Sequence, residues 1–167
     1  MSHREVILGH EGIQDLLLYF TTLQSQLDGV VLEAERRIAE KGQIEVEAVA
    51  PTTSVDGNRV GQVFIEDVGD MTRVVYAGED VAYIEFGTGY VGANNPYPDQ
   101  ITLNNANWIY DVNEHGYAGW VYKLKDGSGY RHSRGMEAQA PILKGFKKTQ
   151  VAVPQIVREV MNEKFGR

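Results

Sequence analysis

The residues best placed to do chemistry in this chain form one short run, Glu85-Phe86-Gly87-Thr88-Gly89, which closes the apolar stretch Val81-Ala82-Tyr83-Ile84. A buried glutamate at a bend can serve as a general base. Catalysis of that kind needs a second acid, a histidine or a nucleophile tied to it, and no motif supplies one. The plainer role for Glu85 is a hydrogen-bond anchor beside the turn. Gly87-Thr88-Gly89 lacks the longer glycine spacing and the Lys-Ser/Thr pair of a phosphate loop. His3, His10, His115 and His132 have neither the i, i+4 spacing nor the flanking carboxylates of a zinc site. Ser54, Ser128 and Ser133 sit in turn contexts without a nucleophile elbow. The expectation is a protein with no catalytic set, no cofactor and no metal.

The turn must be held by the elements on either side of it. The apolar run before it fits a short buried strand or a short helix capped by Asp80, and periodicity does not separate the two. From Ile13 the positions Leu16, Leu17, Phe20, Leu23, Leu27, Val30, Val31, Ala34 and Ile38 follow three-and-four spacing, which predicts a long amphipathic helix stopped at Gly42. Such a helix spans ~40 Å, more than a small sheet requires, so part of its stripe is a candidate subunit contact. Alternation at Ile44, Val46 and Ala48 predicts a first strand ending at Pro51, followed by a turn over 52–58. Val60–Asp67 and Thr72–Ala77, joined at Gly69-Asp70, complete an antiparallel meander covered by the long helix.

Residues 91–118 read as an asparagine- and proline-rich insert anchored by Trp108, Ile109, Tyr110 and Tyr117. Trp120–Ser133 reads as a second hairpin. Its bases Lys123, Lys125, Arg131 and Arg134 outnumber Asp126 in a chain whose formal charge is −7. That polarity suits docking on an acidic neighbour or, as a lesser alternative, contact with a DNA backbone, and equally a solvated edge guarded by lysines. A helix over 138–150 and another opening at Pro154 close the chain. The order of elements predicts one α+β domain over residues 1–167.

Composition narrows the function classes. A chain of 167 residues with 43% hydrophobic and 23% charged side chains is ordinary globular material. The acidic balance disfavours a broad phosphate-binding surface. No stretch reaches the roughly 20 apolar residues of a membrane helix, and Arg4-Glu5 before Val6-Ile7-Leu8 does not form a signal peptide. The absence of cysteine removes thiol chemistry and disulfides and suits a reducing cytoplasm.

The Glu85–Gly89 turn, read with the later stretch from Gly135 through Ala140-Pro141-Ile142 to Phe146, resembles the minor tail (tail-completion, head–tail joining or neck) proteins of long-tailed bacteriophages and prophages. In that family a Glu-Phe-Gly-Thr-Gly turn is followed by a glycine, an alanine-proline pair and a C-terminal helix. Here Gly135, Ala140 and Pro141 hold those places, and Ile142 stands where phenylalanine is usual. The resemblance implies a non-enzymatic virion structural protein of the tail or neck, made in the host cytoplasm. It implies assembly of copies into a hexameric ring at the head-proximal end of the tail, with other neck, connector and tail proteins as partners. Packaged DNA would pass without specific binding, and no membrane is involved. Glu85, Phe86, Gly87, Thr88 and Gly89 become a structural turn or subunit contact, and Trp108, Tyr110 and the hairpin bases candidate partner contacts. A tail-terminator ring is the neighbouring alternative. From another class comes a ligand- or carbohydrate-binding module that stacks its target on Tyr97, Trp108, Tyr110, Tyr117 and Trp120.

Overall fold

The computed structural model describes residues 10–51, 60–69, 71–112, 117–124 and 127–166. The expected turn over 52–58, the hairpin tip at Lys125 and Asp126, and His3, Ser54 and His115 lie outside them.

A long helix, α1 (His10–Glu47), is followed by the hairpin β1 (Gln62–Val68) and β2 (Met71–Ala77), paired antiparallel from Gln62↔Ala77 to Val68↔Met71. Three short helices come next: α2 (Val81–Phe86), α3 (Gly89–Asn94) and α4 (Gln100–Asn105). A second hairpin, β3 (Trp120–Lys123) with β4 (Tyr130–Ser133), leads through the two-residue β5 (Gly135–Met136) to the last helix, α5 (Pro141–Phe165). The class is mixed α+β, as the order of elements predicts.

Five expectations are corrected. The alternation at Ile44, Val46 and Ala48 is not a strand, because α1 runs on to Glu47. Strand neighbours two apart share a face, yet Val46 is 3% exposed and Ile44 58%. Three alternating positions fit the end of a helix equally well, and i, i+4 bonds from Lys41 to Glu45 and from Gln43 to Glu47 stabilise it. Gly42 is therefore a helix-interior residue packed near Val74 and Thr149, not a stop. The C-terminal region is one helix with Pro154 inside it. Proline there forfeits a single N–H bond to the Gln150 carbonyl, and the ladder resumes beyond it. The insert is not one loop, since it contains α3 and α4, the latter capped by Asp99 accepting from the Ile101 and Thr102 amides. Finally, α2 is helical, but Asp80 makes no side-chain capping bond.

Two compact units are distinguishable. In Ala39–Ala152, Val46 from the last turns of α1 joins Val60, Tyr76 and Ile84 in a core, with Val63 and Val74 of the hairpin packed against it. Lys148 of α5 reaches Glu45 of α1 at 3.3 Å, and with Lys41 it holds the Glu45 carboxyl below its usual range. The other unit combines α1 up to Ile38 with α5 from Val153. There Val160 is buried against Val30 and Ala34, and Arg37 forks onto Glu163 at 2.6 and 2.8 Å.

Two glycines give opposite expectations for the same change. A Cβ on Gly145 would lie 2.9 Å from the Val46 backbone nitrogen, so Gly145→Ala should cost about 1–3 kcal/mol through overpacking, less the gain in helix propensity. At Gly29 an added methyl group would have nothing within 4 Å, so Gly29→Ala should gain about 0.5–1 kcal/mol. Urea denaturation followed by circular dichroism measures both.

Candidate functional site

The helix α5 begins with a deficit. Ala140 is its N-cap residue, since the Lys144 amide donates to the Ala140 carbonyl at 2.9 Å, and Pro141 occupies the first helical position without an N–H. Alanine has no side-chain oxygen for the amides of Ile142 and Leu143. Glu85 supplies it from a distant part of the chain. Its Oε2 accepts from the Ile142 amide at 2.8 Å and its Oε1 from the Leu143 amide at 3.2 Å. A carboxylate at a helix N-terminus satisfies orphan donors and meets the positive end of the helix dipole.

Glu85 is only 5% exposed, so its charge would be costly without such partners. A third bond comes from the Tyr97 hydroxyl, which donates to Oε1 at 2.9 Å. Tyr97 is itself buried, and burial first, then the hydrogen bond and charge of Glu85, push its phenol well above the ordinary tyrosine range. The backbone doubles the join: the Gln139 amide donates to the Ile84 carbonyl at 2.9 Å and the Ala140 amide to the Glu85 carbonyl at 3.3 Å.

The glycine turn follows from this docking. Gly87 takes φ 79°, closes α2 with a bond from its amide to the Tyr83 carbonyl, and leaves no room for a side chain against the Met136 carbonyl and the Ala138 amide. Thr88 is extended and pairs with Met136, and Gly89 pairs with Gly135. Gly135 sits at φ 98°, where a Cβ would run into the Thr88 carbonyl. Thus all of Glu85, Phe86, Gly87, Thr88 and Gly89 face the stretch that contains Gly135, Ala140, Pro141 and Ile142. The two motifs are one hydrogen-bonded node.

The insert completes the node from the far side. Phe86 packs edge-on against Tyr97 (5.0 Å) and tilted on Trp108 (5.3 Å), and the Trp108 indole N–H donates to the Gly87 carbonyl at 2.9 Å. The Tyr110 hydroxyl accepts from the Tyr97 amide at 2.8 Å. Tyr97, Leu103 and Ala140 form the buried cluster beneath. Trp108 and Tyr110 are therefore bonded into their own domain. Tyr117 is exposed beside Tyr90, with the Arg134 guanidinium 5.2 Å over its ring. Lys123, Arg131 and Arg134 are exposed on and beside the second hairpin, Arg134 directly before Gly135 with its carbonyl accepting from the Val91 amide at 3.1 Å, and Lys125 falls outside the described residues.

The chemistry of the node is anchoring. All three hydrogen bonds to the Glu85 carboxylate come from groups of the fold, and no cluster of potential metal ligands occurs among the described residues. His132 bonds the Ala118 carbonyl, outside the node. Sequence reasoning missed Tyr97 as the partner of Glu85. The signals were available in the rigid Pro96-Tyr97-Pro98 and in an Ala-Pro helix start that has no cap of its own. No protein-family model, curated protein or solved structure matches the chain.

Glu85→Ala should destabilise the protein by about 3–4 kcal/mol, because it strands two helix amides and a buried hydroxyl, whereas Glu85→Gln, which keeps one acceptor oxygen, should cost roughly 1–2 kcal/mol. The raised Tyr97 phenol sets an alkaline limit. Its contribution is complete below the unfolded value of 10.0 and is lost as pH rises beyond it towards the higher folded value. Unfolding free energy measured from pH 8 to 11 should fall less steeply in Tyr97→Phe.

Proposed function

We propose that this chain is a non-enzymatic virion structural protein that assembles, as a ring of copies, at the head-proximal end of a bacteriophage tail or in its neck, and helps complete the tail and join it to the head. The observation that carries the reading is the join between the two stretches on which the family resemblance rests. Glu85 of the Glu-Phe-Gly-Thr-Gly turn caps the helix that starts at the Ala140-Pro141 pair. A resemblance built from two short motifs gains weight when the motifs serve one physical purpose. The acidic net charge of −7 is also suited to a ring through which DNA slides without sticking. The exposed bases of the second hairpin offer a positive edge to an acidic neighbour.

The stacking-module alternative draws no comparable support. Tyr97 is 2% exposed, Trp108 and Tyr110 are held by internal hydrogen bonds, Tyr117 lies against Tyr90 and Trp120 against Gly89, so all five of its aromatics already have contacts inside the fold.

Electron microscopy of particles made when the gene is silenced, with the protein supplied in trans, tests the proposal. Filled heads and separate tails that join on adding the protein are the expected result. Normal infectious virions without it would sink the reading.

A further inference from the structure

The long helix carries a pattern that the core does not use up. Leu16, Phe20, Leu23, Leu27, Val30 and Ala34 recur at alternating spacings of four and three, the a/d seam of a helix made to lie along another helix. One end of the seam is filled within the chain, where Val30 and Ala34 are buried on Val160. The next seam position, Arg37, is tied to Glu163. But α5 stops at Phe165, while the seam continues towards the N-terminus without it. Leu16 is 49% exposed, Phe20 55% and Leu27 45%.

What covers the remainder is constrained by charge. From Leu16 to Leu27 there is no charged residue, and no lysine or arginine occurs in α1 before Arg36. An anionic lipid surface would find no cation to hold, and no described helix is long and apolar enough to cross a membrane. A second copy meets no such obstacle. The positions flanking the seam, Leu17, Tyr19, Gln24 and Gln26, are uncharged, so the same helix can lie against itself without like-charge repulsion. The exposed area is also of the right order. Six large apolar side chains on the seam side, Leu16, Leu17, Tyr19, Phe20, Leu27 and Val31, each about half exposed, present roughly 500 Å², more than half of the ~800 Å² per partner of a standard stable interface.

We propose that the Leu16–Leu27 stretch of α1 is a self-association helix, which packs on the same stretch of a second copy of this chain and continues the seam that α5 begins. The inference rests on the self-assembly part of the proposed function and adds one surface through which two copies meet.

The test uses the purified full chain and size-exclusion chromatography with light scattering over a range of concentrations. Wild type should be oligomeric, with a concentration-dependent mass. The pair Phe20→Glu and Leu27→Glu should raise the dissociation constant at least about 100-fold, a factor of ten or more for each charge placed in the seam. Because both side chains are exposed in the single chain, the variant should keep the wild-type circular dichroism. Leu18→Glu, on the opposite side of the helix, should leave the mass unchanged. A monomeric wild type, or an oligomer indifferent to the seam pair, would overturn the proposal. Particle complementation reads the other idea separately: an oligomer dissolved by the seam pair, in a protein that virions do without, would dismiss the tail role and keep the seam.

Discussion

A carboxylate placed against two amides decides how this chain closes. The last helix starts at Ala140-Pro141, where neither residue can cap it, and Glu85 makes good the missing acceptor from 57 residues upstream. Much of the neighbouring geometry follows. Glu85 must sit at the end of α2, so the chain must leave that helix at once, and Gly87 turns it. The turn must run beside the approach to α5, so Thr88 and Gly89 pair with Gly135 and Met136. Tyr97 must reach the same oxygen, so the insert is folded inward instead of out into solvent.

Both units leave large apolar side chains exposed, scattered in Ala39–Ala152 and in a run along the start of α1. In Ala39–Ala152 the aromatics of the insert turn towards the node, where Phe86, Tyr97 and Trp108 pack on one another and the polar ends of Tyr97 and Trp108 find acceptors. Buried aromatics of this kind need a partner for the hydroxyl or indole N–H, and each has one. In the unit made by the start of α1 and the end of α5, large apolar side chains remain on the surface. Such a run is expensive to leave in water and is the usual mark of a surface that meets something.

The long helix, the β1–β2 hairpin, the β3–β4 hairpin and the mixed class were legible in the sequence because each has a sustained period or a clear turn. Glu85 as an anchor was legible too, from the glycines beside it. What escaped was set by contacts distant in the chain. Val46 is helical because it fills a core with Tyr76 and Ile84, and three alternating residues cannot announce that. Pro154 marks a helix start in one context and sits within a continuous helix in another, with the same residues on either side. The Tyr97 bond to Glu85 joins positions 12 apart through an irregular path, and no periodicity reports such a pair.

The chain has two tryptophans, and both lie at the glycine turn: Trp108 on the Gly87 carbonyl and Trp120 with its ring against Gly89. Indole emission is therefore a signal from the Glu85 node alone, and the unit around Val30 and Val160 is optically silent in it. Far-ultraviolet dichroism, by contrast, is dominated by α1 and α5, which run through both units. The protein thus carries a built-in pair of probes for cooperativity. Coincident melting curves would mean that the two units unfold as one, and displaced curves would give each unit its own midpoint.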